Sequence, residues 1–171
     1  MKIEYHYKYI EVIQLDSYYN PTVITSYCAG CEKYGRYWSC PPHFFDTQAF
    51  VNNYNKALIV GMQVFMDADG KDFEEVFHEE RRKLGQHMEE LASKHEGSKI
   101  IIAGHCYQCD ICSRVKNQPC IKPDKLRYSL ESLGYEVSSI SNGILALPIL
   151  WPDKGKMPEY LVSVGAVLYN E

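Results

Sequence analysis

The chain has 171 residues, 46% of them apolar and 23% charged, the proportions of an ordinary globular protein rather than of a disordered, collagen-like or coiled-coil chain. At this length one domain over residues 1–171 is expected, large enough to bury a core without staples. The net charge of −4, from 18 Lys and Arg against 22 Asp and Glu, argues against a protein whose main task is gripping nucleic-acid phosphates.

Taken in chain order, residues 3–15 read as a first strand, with Ile3, Tyr5, Tyr7 and Tyr9 on one face and Glu4, His6 and Lys8 on the other. The stretch from Asp16 to Asp46 lacks periodicity, and at roughly 30 residues it is long for an idle connection. The unbroken apolar run from Ala57 to Phe65 is the mark of a strand covered on both faces. A turn at Asp67–Gly70 leads to Asp72 and Glu75, spaced as a capping box. A helical stripe of Phe73, Val76, Phe77, Leu84, Met88 and Leu91 then runs to about Ser93.

Gly97 stops that helix, and Lys99–Ala103 is the next buried strand, so strand, helix and strand suggest a parallel crossover. Pro123 is placed to open a helix with Leu126, Leu130 and Leu133 on one face and Gly134 just beyond its end. A short strand is expected at Tyr135–Val137, a brief helix capped by Ser141 before Pro148, and a last strand at Tyr160–Tyr169. The fold class is α/β, a single domain with a mixed, mostly parallel sheet, flanking helices and cysteine-rich metal-binding loops at about 27–43 and 105–123.

Seven cysteines in two tight groups, an odd number, point to metal rather than to disulfides. Cys106, Cys109 and Cys112 follow a C-x2-C-x2-C pattern, and Cys120 comes seven residues later with Pro123 beyond it. Ferredoxins hold three corners of a [4Fe–4S] cube with such a triplet. The longer gap lets Cys120 return to the same cube. Zinc sites favour separate pairs of cysteines, and a third at this spacing crowds a single tetrahedral ion.

The other group is Cys28-x-x-Cys31 with Cys40-Pro41-Pro42-His43. Three readings stand for it. Zinc would sit on Cys28, Cys31, Cys40 and His43. An iron–sulfur cluster would be completed from elsewhere, for instance by Cys120 crossing over. A [4Fe–4S] cluster held by the three thiolates alone would keep one iron open to a substrate. The metal-ligand set is therefore Cys28, Cys31, Cys40, Cys106, Cys109, Cys112 and Cys120, the last four as cofactor ligands, with one [4Fe–4S] cluster expected, a second allowed and zinc as the alternative at the first group.

The pattern Cys28-x-x-Cys31-x-x-Tyr34-Gly35-x-x-Trp38-x-Cys40-Pro41-Pro42, with Cys106-x-x-Cys109-x-x-Cys112 and Pro119-Cys120-x-x-Pro123, resembles the predicted metal-binding proteins grouped as domain of unknown function 2284. Ser129-x-Glu131-x-x-Gly134 also fits that family, and Leu130 stands where a Met is expected, a volume-conserving exchange. The resemblance covers most of the chain. It implies metal binding and iron–sulfur chemistry, and no particular reaction.

Between residues 106 and 127, Arg114, Lys116, Lys122, Lys125 and Arg127 outnumber Asp110 and Asp124. Such a basic rim would tune an anionic cluster and steer an acidic partner, or it is simply solvated. His78-Glu79-Glu80-Arg81-Arg82 fails as a zinc-protease motif because Arg82 replaces the second His. His105, beside Cys106, reads as a ligand, a cluster-tuning donor or a strand-end cap. The aromatics Tyr27, Tyr34, Tyr37 and Trp38 read as loop packing or as cluster shielding. Dinucleotide, P-loop and nucleophile-elbow motifs are missing.

No run reaches the roughly 18 apolar residues of a membrane span, and the N-terminus lacks a signal peptide's apolar centre. The expectation is a soluble cytoplasmic iron–sulfur protein without nucleic-acid or membrane partners. Its function would be electron transfer to a redox partner protein, reduction of a small-molecule substrate at an open iron, or, with zinc, service as a binding module.

Overall fold

The computed structural model describes residues 1–67 and 72–171. A five-stranded sheet carries the chain: β1 (Ile3–Glu11), β2 (Lys56–Phe65), β3 (Lys99–Ile102), β4 (Tyr128–Ser129) and β5 (Tyr160–Tyr169), in the spatial order β1-β2-β5-β3-β4. The helices are α1 (Pro21–Ala29), α2 (Thr47–Asn52), α3 (Phe73–Ala92) and α4 (Val137–Leu145). No helix among the described residues is long and apolar enough to cross a membrane.

The sheet is mixed, as expected, but parallel pairing is its minority. β1 with β2, β2 with β5 and β5 with β3 are antiparallel, and the short pair of β3 with β4 is parallel. β2 and β3 do run the same way through a crossover at α3, yet β5 inserts between them. The apolar run in β2 reports burial on two faces rather than parallel neighbours. On one face Leu58, Val60, Met62 and Val64 pack with Val76, Leu84 and Met88 of α3. On the other, Ala57 and Ile59 join Val51, Leu133, Tyr135 and Ile140. Gly165 of β5 sits at the tightest point, where a Cβ would stand 2.6 Å from both the Ile101 carbonyl oxygen and the Met88 sulfur.

Several local expectations are corrected. The first strand ends at Glu11 and continues as a 3-10 turn over Val12–Tyr18. The aperiodic stretch holds α1, with Pro21 in its first turn. Asp72 takes the N-cap position of α3 without a side-chain cap bond, so the capping box does not form. The turn foreseen at Asp67–Gly70 lies, beyond Asp67, outside the described residues.

The helix foreseen after Pro123 is only a 3-10 turn to Lys125, because Tyr128 and Ser129 pair with Ile101 and Ile102. The Ser129 and Ser132 hydroxyls then capture each other's backbone N–H groups, the local competition that unseats helices. Leu130 and Leu133 reach the core all the same. Tyr135 makes a single bridge to Tyr19 rather than a strand, and Ser141 lies inside α4, its hydroxyl donating to the Leu147 carbonyl.

Candidate metal centre

β3 delivers the chain to the second cysteine group. Gly104, at φ +75°, makes the turn, and a Cβ there would stand 2.5 Å from Arg81 Nη1, so a left-handed, side-chain-free residue is required. Beyond it Cys106, Cys109, Cys112 and Cys120 all line one small cavity of about 20 Å³, together with Tyr37, Trp38, Ile121 and Leu126. Cys120 is thus grouped with the triplet and does not cross to the first group. The Trp38 backbone N–H donates to Cys112 Sγ at 3.4 Å, the kind of hydrogen bond to sulfur that raises a cluster's potential. Tyr37 and Trp38 therefore wall the second cysteine group, although they belong to the loop of the first.

Arg114 fastens the two loops. It is 7% exposed, and its guanidinium donates to the carbonyls of Tyr37 at 2.9 Å, Cys40 at 2.6 Å and Pro42 at 2.8 Å, stacking near Trp38. Ser39 is the second link: its hydroxyl accepts from the Cys106 N–H at 2.9 Å and lies 3.8 Å from Cys40 Sγ. The two cysteine groups are neighbours across one buried serine.

Cys28, at the end of α1, with Cys31 and Cys40, lines a second cavity of about 400 Å³ whose walls include His78, Arg81, His105 and Glu131. Burial pushes the Cys40 thiol up to about 11 and raises Cys28 as well, so these thiols stay protonated until a cation compensates them. His43 is turned away: its Nε2–H donates to the Ser132 carbonyl at 2.8 Å, and it lines a different cavity, with Trp38, Arg114 and Cys120. The Cys3His zinc reading loses its fourth ligand.

His105 faces the Cys28/Cys31/Cys40 cavity rather than the cysteine group beside it in sequence. It packs on Tyr37, with Arg81 Nη1 3.2 Å from its Nδ1. Burial first, and Arg81 second, push it down to about 3, which leaves a neutral imidazole.

Glu131 and Arg114 carry more than their sequence context suggested. Glu131 lines the cavity of the first cysteine group, and its Oε2 is buried without a hydrogen-bond partner among the described residues. Burial raises its carboxyl above the usual range. The signal was an acid between Leu130 and Leu133, both core residues. Arg114 carried no such signal, because only the docking of the two loops reveals its acceptors.

Among the described residues, no three His, Cys, Asp or Glu side chains converge tightly enough to hold one metal ion. The donors instead line two cavities, of about 20 Å³ and about 400 Å³, and their thiols are of the type that both zinc and iron–sulfur groups take. No curated protein and no solved structure matches the chain. A family model described as a predicted metal-binding protein matches residues 11–169. With that span covered, the chain belongs to the family of predicted metal-binding proteins known as domain of unknown function 2284.

Proposed function

We propose that the protein is a cytoplasmic iron–sulfur electron carrier, with a [4Fe–4S] cluster on Cys106, Cys109, Cys112 and Cys120 and a second metal group on Cys28, Cys31 and Cys40. The observation that carries this reading is the placing of four thiols around one cavity, one sulfur already accepting a backbone N–H. Such a cluster takes up and releases one electron at a time. Trp38 and Tyr37 keep water from the thiolates, and Ser39 couples the two cysteine groups. Exposed Lys116, Lys122 and Lys125 with exposed Ile111 and Ile121 offer an acidic redox partner a basic rim around an apolar contact.

A second reading is a reductase in which the three-cysteine site keeps an open iron. It is favoured by one specific observation, a cavity of about 730 Å³ that shares Cys28 and Glu131 with that site. Iron, acid-labile sulfide and zinc per chain, measured on protein purified without oxygen, test both readings. About four irons at each cysteine group, about eight in all, are expected for two cubes. About four irons with one zinc would leave the carrier and remove the open-iron reductase. Zinc without sulfide would overturn both in favour of a zinc-stabilised binding module.

A further inference from the structure

The 730 Å³ cavity lies among α1, the first turn of α3, the start of α4 and the first half of β5. Its size is that of a small-molecule site. Val23, Ile24, Phe77, Ile149, Trp151 and Val162 stand among its apolar walls. Cys28, Glu131, Gly104, Phe73 and Phe77 are common to this cavity and to that of the three cysteines. No Lys, Arg or His is among its described lining residues, while Glu131 and Glu136 both are. Glu136 is already engaged, accepting from Asn20 Nδ2 at 2.8 Å and from the Ser139 hydroxyl at 3.2 Å. Glu131 Oε2 has no hydrogen-bond partner among the described residues.

A buried polar atom without a partner is costly, and a ligand that supplies the missing partner removes that cost. We infer that this cavity binds an uncharged small molecule with an apolar, ring-sized body and a terminal hydroxyl, the hydroxyl meeting Glu131 Oε2 beside Cys28. A hydroxyl both donates and accepts, so it satisfies the carboxyl in either protonation state, whereas an anion would enter an apolar space already holding two acids. The inference rests on the open-iron reading only for what happens once the hydroxyl stands next to Cys28.

The test is calorimetric titration of the anaerobically purified protein with 2-naphthol and 2-naphthoate, which share one body. Binding of 2-naphthol is expected at least about tenfold tighter than that of 2-naphthoate, a difference of about 1.4 kcal/mol. Ser138→Trp, at an exposed lining position on α4, is expected to abolish it. In Glu131→Gln the preference for naphthol over naphthoate is expected to shrink to about threefold or less. Trp151 lines the cavity, so bound naphthol quenches its emission, a signal lost in Trp151→Phe that needs no altered cavity.

Equal affinity for the two probes, no binding, or naphthol binding that is unaffected by Ser138→Trp and whose quench persists in Trp151→Phe overturns the inference. Visible and electron-spin spectra taken during the same titration separate it from the open-iron reading. Naphthol binding with an unchanged spectrum keeps the cavity site, its hydroxyl held by Glu131 without reaching a metal. No binding, with about eight irons present, removes the cavity site and leaves the metal assignment standing.

Discussion

Arg114 joins two loops that sequence spacing alone keeps apart, with three charge-assisted hydrogen bonds to carbonyls. Lysine keeps the charge but cannot form that fork. Arg114→Lys is expected to strand at least one buried acceptor and to cost roughly 2–4 kcal/mol. The loss would be read as a lower melting temperature and as reduced metal per chain at both cysteine groups, since both loops move.

His43 gives the molecule a pH dependence. Burial outweighs its bond to the Ser132 carbonyl and holds it below its ordinary value of 6.5, with Arg114 adding to the depression. The folded chain therefore binds fewer protons than the unfolded chain in the window below that value. Stability rises with pH through the window and is lost as pH falls below about 6.5. His105 is depressed in the same direction, so His43→Gln is expected to reduce, rather than remove, the fall in melting temperature between about pH 7 and pH 5. An unchanged slope in thermal melts at stepped pH would refute that role.

At the scale of elements, α3 meets the second cysteine loop at Gly85. A Cβ there would stand 1.9 Å from the Tyr107 hydroxyl, and Tyr107 lies directly after Cys106. Alanine improves helix propensity by about 1 kcal/mol and at the same time pushes Tyr107 off the helix. The two effects land on different observables. Gly85→Ala is expected to leave the melting temperature of the fold nearly unchanged while lowering the metal retained per chain. Adding Tyr107→Phe, which removes the clashing oxygen, should restore the metal.

Elements with strong periodicity were legible in the sequence. β2, α3, β3 and β5 lie within a residue or two of the boundaries that apolar patterning sets. α1 was hidden because Thr22, Val23, Ile24 and Thr25 are β-branched and disfavour helix. It is set by contacts made at a distance, the Asn20 N–H donating to the Gly134 carbonyl. The helix wrongly read after Pro123 had the right leucine spacing and lost to a strand pairing with β3. The triplet spacing of Cys106, Cys109 and Cys112 is local and stands in the sequence, whereas the place of Cys120, which spacing leaves open between the two groups, depends on how the loops dock. The turning away of His43, the clamp at Arg114 and the position of Glu131 depend on which loop docks on which, and spacing cannot report that.

For the whole molecule the critical register is that of β5. Gly165 lets the strand pass between Ile101 of β3 and Met88 of α3, whose nearest atoms stand 2.6 Å from where a Cβ would be. One of those atoms is backbone, so relief requires moving the sheet itself. Gly165→Ala is expected to cost roughly 1–3 kcal/mol through overpacking, visible as a lower denaturant midpoint with the slope unchanged. A midpoint equal to the parent's would mean that the sheet and α3 are less tightly coupled than their geometry implies.

The strand that holds the middle of the sheet is also the last strand along the chain. During synthesis all seven thiols, from Cys28 to Cys120, leave the ribosome before the partner of β2 and β3 exists. For that interval the thiols and the residues that wall their two cavities, none of them on β5, stand on a sheet without its middle strand. Metal caught then would be bound in whatever geometry the ion prefers, and β5 would have to close around it. Metal arriving later meets donors already spaced, and exposed Cys31 is the first thiol it can touch.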